Sequence, residues 1–117
     1  MKLSIATERA GSGAYVIALS GEVDLYSCPE FKEELLRLIA DGADHVVVDL
    51  AATTFIDSTA LGVLLRGVER LRETSDGRLS VACTDPHICK VFEVTGLDRI
   101  FSVYSSREEA LAQVPSP

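Results

Sequence analysis

The chain has 117 residues, of which 47% are hydrophobic and 25% are charged, and this composition excludes a largely disordered protein. Its formal net charge is −7 and no cluster of Lys or Arg stands out, so a general nucleic-acid-binding surface is not expected. No apolar stretch approaches the roughly 20 residues that cross a membrane, and the N-terminus lacks a signal-peptide pattern, which predicts a cytoplasmic protein without a membrane contact.

The first elements are predicted to form a hairpin. Residues 3–6 alternate between apolar and polar side chains, and residues 14–20 form a second strand pattern. The glycine-containing turn at 11–13 is so short that the two strands are expected to be antiparallel neighbours.

A connecting loop at residues 21–25 is predicted to lead into the first helix. This helix is expected to begin near Ser27 or Cys28, because Ser27 and Glu30 have the spacing of a capping box. Apolar residues recur at helical spacing down to Ile39, and Gly42 ends the pattern.

The central segment joins a buried strand to a second helix. Residues 45–50 are almost continuously apolar, as in a central parallel strand, and residues 58–73 carry an amphipathic helical pattern. Gly62 and Gly67 lie inside this helix, where each costs about 1 kcal/mol relative to alanine. They indicate close packing or a surface approached by another chain, although two merely tolerated glycines are also compatible with the pattern.

The remaining pattern predicts a strand at 79–83, a short helix after Asp85, a strand at 100–103 and a final helix opened by Ser106. The order β-β-α-β-α-β-α-β-α predicts an α/β fold. We expect a mostly parallel sheet with an N-terminal antiparallel hairpin and about four helices. Residues 1–114 are expected to form a single domain, with a frayed tail at 115–117.

The junction between the central strand and the second helix carries Asp57, Ser58 and Thr59. One interpretation is an ordinary helix N-cap, since Asp and Ser are preferred there. The other is that Ser58 is a phosphate acceptor, because a helix N-terminus favours negative charge. A phosphate adds about −1.5 to −2 charges and would make this edge strongly acidic.

Glu22 and Asp24 follow the second strand and are expected at the same edge of the sheet, where the carboxyl ends of parallel strands meet. They are compatible with a solvated turn. They are also compatible with a docking rim for a partner, in which they could orient the Ser58 hydroxyl.

Catalytic and cofactor-binding alternatives lack the necessary residues. The only histidines, His45 and His87, have no general-base context, and the sequence has no G-x-S-x-G, Walker or G-x-G-x-x-G motif. A phosphoacceptor receiver centred on Asp57 would need an acidic pair and a late lysine that are missing. The three cysteines have no C-x-x-C spacing, which favours free thiols over a disulfide framework or a metal site. No enzymatic activity, metal or cofactor is therefore expected.

Several segments together resemble the STAS domain, and in particular the single-domain bacterial anti-sigma factor antagonists. The resemblance rests on residues 21–25, on Val48-Asp49-Leu50, on residues 94–97 followed by Ile100-Phe101, and above all on residues 55–62. It covers nearly the whole chain, and the Asp-Ser-Thr-Ala-Leu-Gly segment is its most specific part.

The resemblance implies a protein that binds an anti-sigma factor with Ser/Thr kinase activity and so releases a sigma factor in partner switching. It implies phosphorylation on Ser58, with Thr59 as a lesser candidate, and reversal by a metal-dependent Ser/Thr phosphatase. Asp24 and Asp57 match acids around the modified serine. With Glu22, Ser58, Thr59 and Gly62 they form the predicted partner-binding set. The alternative is a STAS-like subunit of a transporter or signalling assembly without a phosphoswitch.

Overall fold

Five strands form one mixed sheet, in which they lie side by side in the order of the sequence. The computed structural model describes residues 3–114, and the predicted tail at 115–117 lies outside this range. The strands are β1 (Ser4–Gly11), β2 (Ala14–Val23), β3 (His45–Ile56), β4 (Arg78–Ala82) and β5 (Ser102–Tyr104). β1 and β2 are antiparallel, and every other neighbouring pair is parallel. The predicted fold class is confirmed.

Helices cover both faces of the sheet, but unequally. They are α1 (Cys28–Ala40), α2 (Ser58–Thr74), α3 (Pro86–Thr95) and α4 (Arg107–Leu111), with a short 3₁₀ helix at Leu97–Arg99. Val46 and Val48 of β3 join the large core under α1, α2 and α3, whereas Val47 belongs to a small core with Ala110 of α4. Within residues 3–114, no helix combines the length and apolar character needed to cross a bilayer.

β2 and β3 extend further than their apolar patterns predict. The predicted loop at 21–25 begins inside β2, and β3 continues to Ile56 rather than ending near residue 50. The reason is that β4 ends opposite Asp49, after which β3 pairs with β2 only. Ala51 and Ala52 are exposed on this extension. This part of β3 therefore lacks the continuous apolar sequence from which a buried strand is predicted.

The capping box predicted from Ser27 and Glu30 is wrong. Ser27 makes no side-chain cap on α1. Its hydroxyl instead donates to the Glu22 carbonyl at 2.8 Å and accepts from the Asp24 backbone N–H at 2.9 Å. The Ser27 hydroxyl therefore stabilises the loop that precedes α1 and does not cap the helix.

Gly67 allows α2 to pack closely on its neighbours. A Cβ at this position would lie 2.7 Å from Leu35 Cδ2 and 3.1 Å from Leu79 Cδ1. Leu35 is fully buried in the main core, so it has little room to move. Of the two helix glycines, Gly67 is the one that internal packing explains.

Candidate functional site

The predicted site residues gather at the edge formed by the carboxyl ends of β2 and β3. Val23 pairs with Ile56, so the loop after β2 and the start of α2 leave the sheet together. The Asp57 backbone N–H donates to the Val23 carbonyl at 3.3 Å. Residues more than 30 positions apart in the sequence thereby become neighbours.

Asp57 joins the two connections at this edge. Its Oδ1 caps α2 by accepting from the backbone N–H groups of Thr59 (2.9 Å) and Ala60 (3.3 Å). Its Oδ2 accepts from the Leu25 backbone N–H at 3.1 Å, in the loop between β2 and α1. One carboxylate therefore stabilises the helix end and fixes the position of the neighbouring loop.

Ser58 is the first residue of α2 and is exposed. Within residues 3–114, its hydroxyl has no hydrogen-bond partner. Asp57 is therefore the residue of the Asp57-Ser58-Thr59 segment that caps α2. The Ser58 hydroxyl is accessible at the N-terminus of this helix. Thr59, the lesser candidate acceptor, is only half-exposed.

Asp24 is engaged within its own loop. Its Oδ1 accepts from the backbone N–H groups of Tyr26 at 3.0 Å and Ser27 at 3.1 Å. The hydrogen bond from the Ser27 backbone is the largest of the effects that hold the pKa of Asp24 below its ordinary value. Asp24 is therefore an ionised member of the rim. Its carboxylate makes no hydrogen bond to the Ser58 hydroxyl in the part of the chain described here.

Glu22 is half-buried near the end of β2, where it pairs with Phe55 of β3. Its predicted neighbours Asp24 and Asp57 stand at the same edge, so the acidic rim combines a strand residue, a loop residue and a helix cap. We use "acidic rim" below for Glu22, Asp24 and Asp57.

Cys28 opens α1 beneath this edge and is buried. Burial, followed by the nearby charges of Asp57 and Asp24, raises the pKa of its thiol to about 11. The thiol is therefore protonated at neutral pH and is a poor nucleophile.

The two histidines lie apart from Ser58. His45 begins β3 at the opposite edge of the sheet and its Nδ1 lies 2.9 Å from Asp44 Oδ1. His87, at the start of α3, is directed to solvent beside Asp85. Neither histidine makes a hydrogen bond to the Ser58 hydroxyl within residues 3–114. Within residues 3–114, no group of three or more potential ligands is arranged to hold a metal ion.

An open groove runs beside Ser58, between the N-terminal halves of α1 and α2. It has a volume of about 520 Å³, and its lining includes Leu25, Pro29, Lys32, Gly62, Val63 and Arg66. We call it the α1–α2 groove. At Gly62, an added Cβ would meet no atom within 4 Å. Thr59 also lines the groove, and Thr59 and Gly62 are the two lining residues that belong to the predicted partner-binding set.

Large apolar side chains are exposed around the same edge. Leu25 is 61% exposed, Tyr26 is 89% exposed and Phe55 is 47% exposed. Sequence reasoning missed all three as surface residues. The adjacent pair Leu25-Tyr26 in a short connection could have signalled them, because neither residue fits the apolar stripe of α1. Exposed aromatic and aliphatic groups of this kind are typical of protein interfaces.

Comparisons with known proteins agree with this architecture. The model of the STAS domain matches residues 5–110. The anti-sigma-B factor antagonist of Staphylococcus epidermidis is 31% identical over 94 residues, which is 80% of this chain and 86% of that protein.

Solved structures are similar over almost the full chain. A crystal structure of an anti-sigma factor antagonist from Mycobacterium paratuberculosis has a TM-score of 0.86 and 29% identity, covering 97% of this chain and 94% of that chain. The Bacillus cell fate determinant SpoIIAA in its phosphorylated form has a TM-score of 0.75 and 25% identity, covering 96% and 100%. The sequence, the fold and these comparisons agree that the chain belongs to the STAS domain family.

Proposed function

We propose that the chain is an anti-sigma factor antagonist, a binding module that sequesters an anti-sigma factor kinase and so releases a sigma factor. Phosphorylation of Ser58 ends the association, and a metal-dependent Ser/Thr phosphatase restores it. ATP and Mg²⁺ belong to the kinase, and the antagonist catalyses nothing itself. Residues 1–114 act in the cytoplasm as one domain.

The exposed Ser58 hydroxyl carries this proposal. A kinase can reach it without opening the fold, and no hydrogen bond within residues 3–114 has to break. Relatives named as anti-sigma factor antagonists, and a similar structure described as phosphorylated, support the same role. Ser58 is preferred to Thr59 because Thr59 is partly covered.

A phosphate on Ser58 would act through charge. It adds about −1.5 to −2 charges beside the acidic rim. At roughly 6 Å and an effective dielectric constant near 20, each added charge opposes a partner carboxylate by about 2–3 kcal/mol. This corresponds to about a hundredfold in affinity. The N-terminus of α2 partly compensates the added charge, so the domain stays folded.

The acceptor is tested by intact mass spectrometry after incubation with ATP and purified anti-sigma factor kinases from the source genome. We expect one added phosphate on the wild-type chain and on Thr59→Ala, and none on Ser58→Ala. A modified Ser58→Ala protein would refute the assignment.

The Ser58→Asp variant tests the electrostatic switch. Binding of the same kinase, measured by isothermal titration calorimetry, should weaken by at least tenfold, while the melting temperature changes little. Ser58→Asn is the uncharged control and should bind more tightly than Ser58→Asp. Equal affinities for the two variants would contradict a charge-based switch.

A further inference from the structure

Packing within this chain does not explain why a glycine stands at position 62, beside the open α1–α2 groove. Glycine weakens a helix interior, yet a Cβ added at Gly62 would meet no atom within 4 Å beyond the adjacent helix backbone. At Gly67, further along α2, glycine is explained by packing, because Leu35 occupies the space that a Cβ would need. The absent side chain at Gly62 leaves room for a group from another molecule.

Part of the lining of the groove is apolar. Leu25, which is 61% exposed, borders it together with Pro29 and the largely buried Val63. Covering such a surface with an apolar side chain removes it from water, which favours binding. A partner segment with an aliphatic or aromatic side chain fits this lining.

Cationic side chains line the same groove. Lys32 makes no ion pair within the described part of the chain, and Arg66 has only an exposed contact with Glu69, at 3.3 Å. The chain as a whole carries a net charge of −7, and the acidic rim lies at the loops beside the groove. The surface around Ser58 is therefore negative at the loops and positive between the helices.

We propose that the groove binds a segment of the partner kinase in which an apolar side chain covers Gly62 and a neighbouring Asp or Glu pairs with Lys32. The inference rests on the proposed function and adds the chemistry that selects the partner. The acidic residue lies in the groove beside Ser58, so it is the partner carboxylate that a phosphate on Ser58 would repel. The ion pair with Lys32 and the apolar contact at Gly62 set the orientation of the complex, which presents Ser58 to the kinase.

The test measures the affinity of the purified kinase that phosphorylates Ser58 for variants of the full chain, at about 0.1 M salt. Lys32→Glu and Gly62→Leu should each lower the affinity by at least tenfold. Gly62→Ala should lower it by a smaller factor while raising the melting temperature, because alanine favours the helix. A loss of binding with a gain in stability cannot come from unfolding.

The control for charge is Arg78→Glu, which makes the same change in net charge at the start of β4, on the opposite edge of the sheet. It should bind as the wild type does. In a charge-reversal rescue, replacing the kinase acid by lysine should restore binding to Lys32→Glu.

The outcomes separate the two proposals. If Ser58 is phosphorylated and the wild-type chain binds the kinase, but Lys32→Glu and Gly62→Leu bind equally well, the groove assignment is overturned alone. If no kinase binds the wild-type chain or modifies Ser58, both the proposed function and the groove assignment fail.

Discussion

At the scale of single residues, Asp57 does more than its place in the motif suggests. It accepts three backbone hydrogen bonds, two from the first turn of α2 and one from Leu25. The side-chain hydroxyl of the adjacent Ser58 makes none within residues 3–114. Of these two neighbouring polar residues, Asp57 has a structural role and Ser58 presents an accessible hydroxyl. The difference arises because the Asp57 side chain turns back toward the backbone N–H groups of the helix.

The Asp57→Ala variant should lower the free energy of unfolding by about 1–2 kcal/mol, since it removes an N-cap and one further hydrogen bond. Asp57→Asn should lose less, because asparagine also caps helices. Urea unfolding measures both. Asp76→Ala, at an exposed turn position, is the control and should change stability by less than about 0.5 kcal/mol. Equal losses in Asp57→Ala and Asp57→Asn would argue against the capping role.

At the scale of elements, α2 faces two different environments along its length. Near its start, Gly62 borders the open α1–α2 groove, and one and a half turns later Gly67 is pressed against α1 and β4 through Leu35 and Leu79. The same residue type therefore has opposite consequences within one helix. The surface of α2 is open at Gly62, whereas at Gly67 the helix packs closely against the core.

Alanine at these two positions should shift stability in opposite directions. Gly62→Ala should raise the free energy of unfolding by up to about 1 kcal/mol, through helix propensity alone. Gly67→Ala should lower it by about 1 kcal/mol, because overpacking outweighs the same gain. Thermal or urea unfolding of both variants tests this prediction. A stabilised Gly67→Ala protein would contradict it and would show that the Leu35 side chain can move to accommodate the added methyl group.

At the scale of the whole molecule, one ion-pair network ties the last helix to the sheet. Arg107, which opens α4, donates from Nε to Asp49 Oδ2 at 2.7 Å and also pairs with Glu8 of β1. Asp49 has a side chain only 8% exposed, and the Arg107 guanidinium is the cation that pairs with this buried carboxylate. The network joins residues from the beginning, the middle and the end of the chain on the thinly covered face.

Removing Arg107 should therefore be costly for stability. Arg107→Gln should lower the free energy of unfolding by about 2–3 kcal/mol, because a largely buried carboxylate loses its partner. Adding Asp49→Asn should recover part of this loss in a double-mutant cycle. Arg66→Gln, which breaks an exposed pair with Glu69, should cost at most about 1 kcal/mol. A similar loss in both arginine variants would mean that Asp49 is well solvated.

The sequence by itself determined the order of the elements, the mixed sheet with its antiparallel start and the position of Ser58 at the beginning of a helix. These features follow from periodicity, turn residues and cap preferences, which act over a few neighbouring positions. The resemblance of residues 55–62 to a known family added the expected partner class.

Only the tertiary structure decided which polar group caps α2, how far β2 and β3 extend, and that an apolar and cationic groove lies beside Ser58. Leu25 meets Asp57 across 32 positions, and Arg107 meets Asp49 across 58. Such contacts arise when strands pair and helices pack on a shared sheet. No local pattern encodes them, because the partners are close in space and distant along the chain.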